Sequence, residues 1–365
     1  MSRTRPRRLI TVFAVLVCLL FVAGGTFYLS GGYESWRDER SLKAACKGLL
    51  SKEDARSVSA GSRVYAMQDH QFGFLFPEDH ADITNCVLKD RDAHSVLAVD
   101  IHWNSKARTA TRTLQYQLQQ DTRTGIVPIG AGWPGSIAAD DDQLFGIVEL
   151  TCRNKQNEGL LVTSQALYIK ADDESRAGLA RFTTSTAKNA AEKFGCDAPV
   201  GRAVTSSVAP DPVRHRVPLD KATGVCAPVV ALSEGVRRAG ATSAGDAPSD
   251  PHTLAEGCYL NDAHGYQLYR LTASYGSLAE NVRRAAREFD VTDDSGFDEK
   301  AHRGYGSAQC ADSSTRSFYT LKPIMVGPGK GLTVKNPDPQ FERAALKAFA
   351  EHSAKTHGCH DLKLP

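Results

Sequence analysis

The residues best suited to chemistry stand near the end of the chain, in "THGCH": His357, Cys359 and His360, with His352 shortly before. Zinc sites take thiolate and imidazole ligands at such short spacings. Cys359, however, has a positional twin in Cys196 of "EKFGCDAP", and no histidine accompanies that twin. The expectation is a disulfide with histidines on the surface. His102, in "DIHWN" beside Trp103, has the chemistry of a general base. No serine or cysteine nucleophile in a recognisable elbow accompanies it, so a half-buried strand histidine is expected. The acids of "DRDAH" (Asp90 to His94) and "ADDDQ" (Ala139 to Gln143, with Asp140 to Asp142) lack the spacing and terminal glutamate of a calcium loop. Aspartate bonds its own backbone in turns, which makes solvated turns the expectation. "GPGKG" (Gly327 to Gly331) lacks the spacing and Ser/Thr of a phosphate loop and reads as a flexible connection. No catalytic, cofactor-binding or metal-binding residue is assigned, and no cofactor.

The cysteines show what must be positioned. Of nine, Cys18 lies in an apolar N-terminal run, where a buried, inert thiol is expected. The others fall as Cys46, Cys86, Cys152 and Cys196, then Cys226, Cys258, Cys310 and Cys359. Between the two sets lies "APVGRAVTSSVAPDPVRHRVP" (Ala198 to Pro218), a linker composition.

Each half opens with a helical cysteine segment, "LKAACKGLL" or "KATGVCAPVVAL", and then has a cysteine opening a hairpin, "CVLKDRDAHSVLAVDIHW" or "CYLNDAHGYQLYRLTASY". A helix follows. Ala107, Thr111, Leu114 and Leu118 share one face in the first half; Leu278, Val282, Ala285 and Phe289 do so in the second, behind a capping box of Ser277 with Glu280. After a second hairpin comes a last helix, capped by Asp172 or Asp173 in one half and by Asp338 with Pro339 in the other. The first buries Leu179, Phe182 and Thr186, the second Phe341, Ala345, Ala348 and Phe349. A Gly-Cys pair ends each.

The fold class expected is α+β: two similar α-ββ-α-ββ-α modules, each an antiparallel sheet covered by helices and stapled by disulfides. Four cysteines per half allow three connectivities. Geometry favours one. The strand after Cys152 runs away and the final helix runs back, which brings Cys196 to Cys152 and leaves Cys46 with Cys86. By analogy, Cys310 pairs with Cys359 and Cys226 with Cys258.

The N-terminus is of another kind. "SRTRPRR" carries four arginines and no acid, and residues 9–29 follow without a charge. A helix of that length rises about 31 Å, one hydrocarbon core. The arginines favour a cytoplasmic residues 1–8, with a transmembrane helix over 9–29 and Tyr28, Tyr33 and Trp36 at the outer interface. The competing reading is a cleaved signal peptide, but no clean small-x-small site follows the run. Module 1 then spans 38–197, the linker 198–218 and module 2 219–361, all exported, where disulfides persist. The whole chain is formally +2, and the tail alone holds four of the positive charges, so the exported part is near −2. That charge leaves no footprint for nucleic acid.

"CKGLL" (Cys46 to Leu50), "NCVL" (Asn85 to Leu88) and "FGC" (Phe194 to Cys196) make the chain resemble actinobacterial cell-envelope proteins of unknown function. "FGFLFPED" (Phe72 to Asp79) is similar to the early strand-and-proline pattern of small exported lipoproteins with a Mog1/PsbP-like α/β sandwich. The second half departs from the pattern, with "CAPVV" for the Leu-Leu pair. The resemblance implies location and fold and carries no activity. The expected function is a membrane-anchored, non-catalytic module of the cell envelope that binds an envelope protein, lipid or wall component. Two alternatives stand beside it: an extracytoplasmic enzyme with an unrecognised site, and an assembly factor for another membrane protein.

Overall fold

The computed structural model describes residues 5–59, 63–67, 83–104, 124–156, 158–205, 208–287, 293–311, 313, 315–325 and 331–365, with side chains from residue 13 onward. The helix expected around Ala107 to Leu118, the Phe72 to Asp79 pattern and all of "GPGKG" but Gly331 lie outside these residues.

The chain is a mixed α+β protein with two antiparallel sheets and four disulfides. The first sheet holds β1 (Val64–Ala66), β2 (Thr84–Asp90), β3 (Val96–Trp103), β4 (Gly125–Pro128), β5 (Gly135–Ala139), β6 (Gln143–Thr151) and β7 (Gly159–Leu167), in the order β1-β2-β3-β7-β6-β5-β4. The second holds β8 (Val217–Pro218), β9 (Ser243–Asp246), β10 (Ala255–Asn261), β11 (Gln267–Ser274), β12 (Gly296–Asp298), β13 (Arg303–Cys310) and β14 (Ser317–Pro323), in the order β12-β13-β14-β11-β10-β9-β8. A last strand, β15 (Cys359–Lys363), pairs with β13.

Read from β5 to β1 and from β12 to β9, the two sheets share one order over six strands. The registers agree as well: Cys86 faces Val99 across β2 and β3, and Cys258 faces Leu271 across β10 and β11. All four expected hairpins are present.

The disulfides are Cys46–Cys86, Cys152–Cys196, Cys226–Cys258 and Cys310–Cys359, the pairs that strand direction favoured. Their surroundings correct one expectation. The segment around Cys46 is no continuous helix. α2 (Gly32–Ala44) stops, and Cys46 and Lys47 take left-handed backbone angles, φ 47° and 56°. That turn aims the Cys46 sulfur at β2 while Leu42 and Leu49 stay buried. The short helix α3 (Lys52–Val58) packs on the long helix α4 (Asp173–Phe194), and it can approach because Gly178 has no Cβ to strike the Ser57 carbonyl.

In the second half Cys226 immediately precedes the single turn α5 (Ala227–Val230), followed by α6 (Ser233–Arg238). The terminal helices start as expected. Asp172 accepts from the Ser175 amide ahead of α4, and Asp338 accepts from the Gln340 and Phe341 amides ahead of α8 (Pro339–Thr356). Leu179, Phe182 and Thr186 are buried, as are Phe341, Ala345 and Phe349; Ala348 is half-buried and Leu346 takes the inner position instead.

The helix α7 (Gly276–Arg287) corrects the capping box. Its Ser277 amide and hydroxyl both donate to Glu149 of β6, each at 2.9 Å, while Glu280 pairs with Arg284. The carboxylate that caps α7 thus comes from the other sheet. Leu278 and Val282 are buried as spaced, Ala285 is half-buried, and Phe289 lies outside the described residues.

The two sheets are bonded to each other at one joint. The Ile126 amide donates to the Tyr259 hydroxyl, and the Arg270 guanidinium to the Thr124 carbonyl. Ser136 Oγ accepts from the Leu254 and Ala255 amides and meets Thr253 Oγ1 at 2.7 Å. The described residues of the segment 198–218 lie along this joint, with Val204, Val208 and Asp211 buried and Trp133 donating to the Arg202 carbonyl.

At the N-terminus, α1 (Arg5–Leu29) leads through Gly31, in the left-handed region at φ 76°, into α2. Among the described residues no single helix is long and apolar enough to cross a membrane; the bent pair Phe13–Leu29 and Gly32–Gly48, at 67°, passes that test jointly. Cys18 is exposed on α1, as are most of the described apolar side chains of that helix.

Candidate functional site

Most of the polar residues singled out from the sequence hold local structure. Asp90 is buried and accepts from the Asp92 and Ala93 amides, so it builds the β2–β3 turn from within. Arg91, in the same turn, makes a two-pronged pair with buried Asp38 of α2 and lies over the Tyr65 ring at 4.1 Å. Asp140 and Asp141 face the connecting segment: Arg214 donates to the Asp140 carbonyl and to the Asp141 carboxylate at 3.1 Å. Asp92, Asp141 and Asp142 are exposed, as expected of solvated turns, but each set is also tied to a residue distant in sequence, the first to Asp38 and the second to Arg214.

His102 is buried on β3, where a half-buried position was expected; its Nε2 lies 4.0 Å from Asp100 Oδ1. Burial pushes the Asp100 carboxyl up to about 7. The sign for stability follows. Between the unfolded value of about 4 and the folded one, the native state keeps a proton that the unfolded chain has lost, so this group's contribution falls as pH rises. Asp100→Asn is expected to flatten the loss of unfolding free energy between about pH 5 and about pH 8, measured by denaturant titration. An unchanged slope would show that Asp100 ionises normally in the folded chain.

The histidines of "THGCH" divide. His360 is exposed, and His352 is half-buried against Ser249 Oγ. His357 is not a surface residue. Its ring stacks on Tyr275 at 3.6 Å and its Nε2 donates to Glu256 Oε1 at 3.2 Å. The other Glu256 oxygen accepts from the Ser353 hydroxyl, which in turn accepts from the Tyr275 hydroxyl. Glu256, Ser353 and Tyr275 are all buried between β10, β11 and α8.

Serine, histidine and a carboxylate in contact have the composition of a nucleophile triad, yet the order is wrong for one. Ser353 donates its hydrogen bond to Glu256, and His357 uses Nε2 on the same carboxylate, so the imidazole is not aimed at the serine as a triad requires. The arrangement holds α8 to β10. Burial also drives the Tyr275 hydroxyl well above its usual range, which keeps it a neutral donor. Among the described residues, no group of three or more His, Cys, Asp or Glu is placed to hold a metal.

A second cluster crosses the outer face of the second sheet, away from α8. Asp298, Arg303, Lys322, Arg270 and Tyr259 occupy one transverse row over five strands. Arg270 is fully buried over the Tyr259 ring, Lys322 half-buried and Arg303 exposed. Elsewhere, a groove of about 360 Å³ between α6 and α8, lined by Leu232, Gly235, Arg238, Phe341 and Ala344, contains none of the residues weighed from sequence for chemistry; Phe341 there was expected as core.

No family model, curated protein or solved structure matches the chain. The site rests on its own geometry.

Sequence reasoning missed Glu256, Ser353, Tyr275, Arg270 and Lys322. For Glu256 a trace existed. It interrupts "LAEGCYLN", which is otherwise a strand of small and apolar residues, and all seven residues of β10 are buried. An acid in such a strand needs an internal partner. Nothing comparable marks Ser353, one of many small residues in α8.

Proposed function

We propose that this chain is an extracytoplasmic protein held at a membrane by α1, whose two-sheet body binds a protein, lipid or wall component and catalyses no reaction. The observation that carries the reading is how the polar residues are used: Asp90, Asp141, Glu149 and Glu256 each complete a turn, a latch, a cap or a core network. Binding surfaces need no such constellation, since their anchors are ordinary aromatic and arginine side chains. Four disulfides fit an oxidising, extracytoplasmic compartment. The shared strand order supports an internal duplication as the origin of the two sheets.

The bend between α1 and α2 supports membrane attachment. Tyr28, Tyr33 and Trp36 form a ladder of rings about 6 Å apart across it, and Arg40 lies over Trp36. Such rings favour the headgroup level, and the apolar side chains of α1, Leu20 and Phe21 among them, are exposed. The ladder is mounted rigidly, since Asp38 binds Arg91 and Ser41 Oγ accepts from the Ala66 amide of β1.

The full chain in bilayers of brominated lipid tests this. The fluorescence that Trp36→Phe removes should be quenched best by bromines near the headgroups, whereas a Leu20→Trp variant should be quenched best by bromines deep in the tails. A Trp at position 20 that no bromine quenches would end the anchor reading.

A further inference from the structure

We propose that the row Arg303–Lys322–Arg270 on the outer face of the second sheet binds an oxyanion of the phosphate class. The inference deepens the binding reading above and rests on it for its biological meaning. Lys322 faces Arg270 directly across β14 and β11. Gly304 faces Leu321 across β13 and β14, so the next rung sets Arg303 opposite Lys322. Three cations therefore stand side by side, with strand neighbours in a sheet about 5 Å apart.

They are graded in depth. Arg303 meets solvent, Lys322 is half-buried, and Arg270 is fixed at the back by the Thr124 carbonyl. The flanks are defined too. On one side Leu268 and Ile324 are buried; on the other Thr272 and Thr320 bond each other at 2.7 Å. An anion entering past Arg303 would reach the amine with a guanidinium on each side.

Acids stand at both ends of the row, but among the described residues none on the amine. Asp298, opposite Arg303 on β12, accepts from the Lys300 and Ala301 amides, and these amides with nearby Arg303 hold its carboxyl down. Asp211 lies near Tyr259 at the other end, and Asp294 pairs with Arg283 at 2.7 Å. Burial, and after it nearby Asp293, raises the hydroxyl of Tyr305 on the Arg303 strand. Among the described residues no carboxylate bonds Lys322. Like charges at this separation, partly withdrawn from water, are unfavourable unless an anion joins them or one loses its proton. Desolvation first, then Arg270 and Arg303, pull the Lys322 amine down to about 7. The chain thus holds a seat in which the arrival of an anion would restore the missing proton.

Titration calorimetry on the full chain in zwitterionic nanodiscs tests this, with inorganic phosphate, glycerol 3-phosphate and sulfate as probes. Sulfate does not titrate, so it counts protons cleanly. The expected result is saturable binding of all three, with uptake of about one proton per sulfate near pH 8 and almost none near pH 5.5. Lys322→Met should abolish the uptake and weaken binding by about tenfold or more, and Arg303→Gln, at an exposed position, should weaken it in a chain still folded. Tighter binding of glycerol 3-phosphate than of phosphate would assign the ligand to a lipid- or polymer-borne phosphate, and the reverse to the free anion. Binding that neither substitution changes, or no saturable binding, overturns the proposal. A chain that failed here but bound another partner would keep the binding reading and lose this one.

Discussion

Alanine at both Cys226 and Cys258 is expected to lower the unfolding free energy of the second half by about 4 kcal/mol through chain entropy, and by more once the void is counted. Both sulfurs are fully buried, and the bridge ties the start of α5 to the middle of β10. Backbone bonds hold the neighbourhood but cannot replace it: Asp246 accepts from the Thr223, Gly224 and Cys226 amides, so the loop stays seated while its core contact is lost. The Cys310–Cys359 bridge closes a loop of similar size, but its cysteines are half-buried and already face each other in the β13–β15 ladder. Removing that pair is expected to cost the entropic part alone. All three tryptophans lie in the first half, so the comparison should be read by hydrogen exchange of β10 and β13 in denaturant. Equal losses for the two pairs would show that packing around Cys226 contributes nothing beyond the cross-link.

These pairs were legible from sequence because they depend on local patterns and chain direction. Hairpins declared themselves by alternation, terminal helices by Asp172, Asp338 and Gly195, and direction then chose the connectivity. What stayed hidden depends on which outward face meets another element. Ala98 and Arg270 each precede the residue opposite a bridged cysteine, so the two sheets present alanine and arginine at one position. An arginine there reads as solvent-facing. It is fully buried and donates to the carbonyl of Thr124, just before β4 of the other sheet, and strand order within one half cannot announce that contact. The same reasoning explains Glu149, whose partner Ser277 lies in the other half and had a plausible local partner in Glu280.

The polar network under α8 offers the other large expected effect, and its sign depends on how many residues are changed. Glu256→Ala alone should cost about 3–5 kcal/mol, because it leaves the Ser353 hydroxyl and the His357 Nε2 buried without their acceptor. Replacing the whole set with apolar residues should not. Counted back from the final cysteine of each half, Ser353 and His357 occupy the positions of Ala190 and Phe194 in the first half, so the fold already accommodates alanine and a large ring there. Combining Glu256→Met, Ser353→Ala, His357→Phe and Tyr275→Phe removes the polar atoms of these four side chains, leaves the buried Tyr319 hydroxyl to its bond from Ser317, and keeps two rings able to stack. That variant is expected within about 2 kcal/mol of the natural chain, and more stable if packing is good, since buried polar sets often yield to apolar ones without loss. Denaturant midpoints and a cycle between the single and combined variants would check it. A combined variant as unstable as Glu256→Ala would mean that satisfaction of the carboxylate is not what the network supplies. A combined variant that folds and still binds its partner would place Ser353, His357 and Glu256 in the scaffold, and would remove the strongest constellation on which an enzymatic reading of this chain could rest.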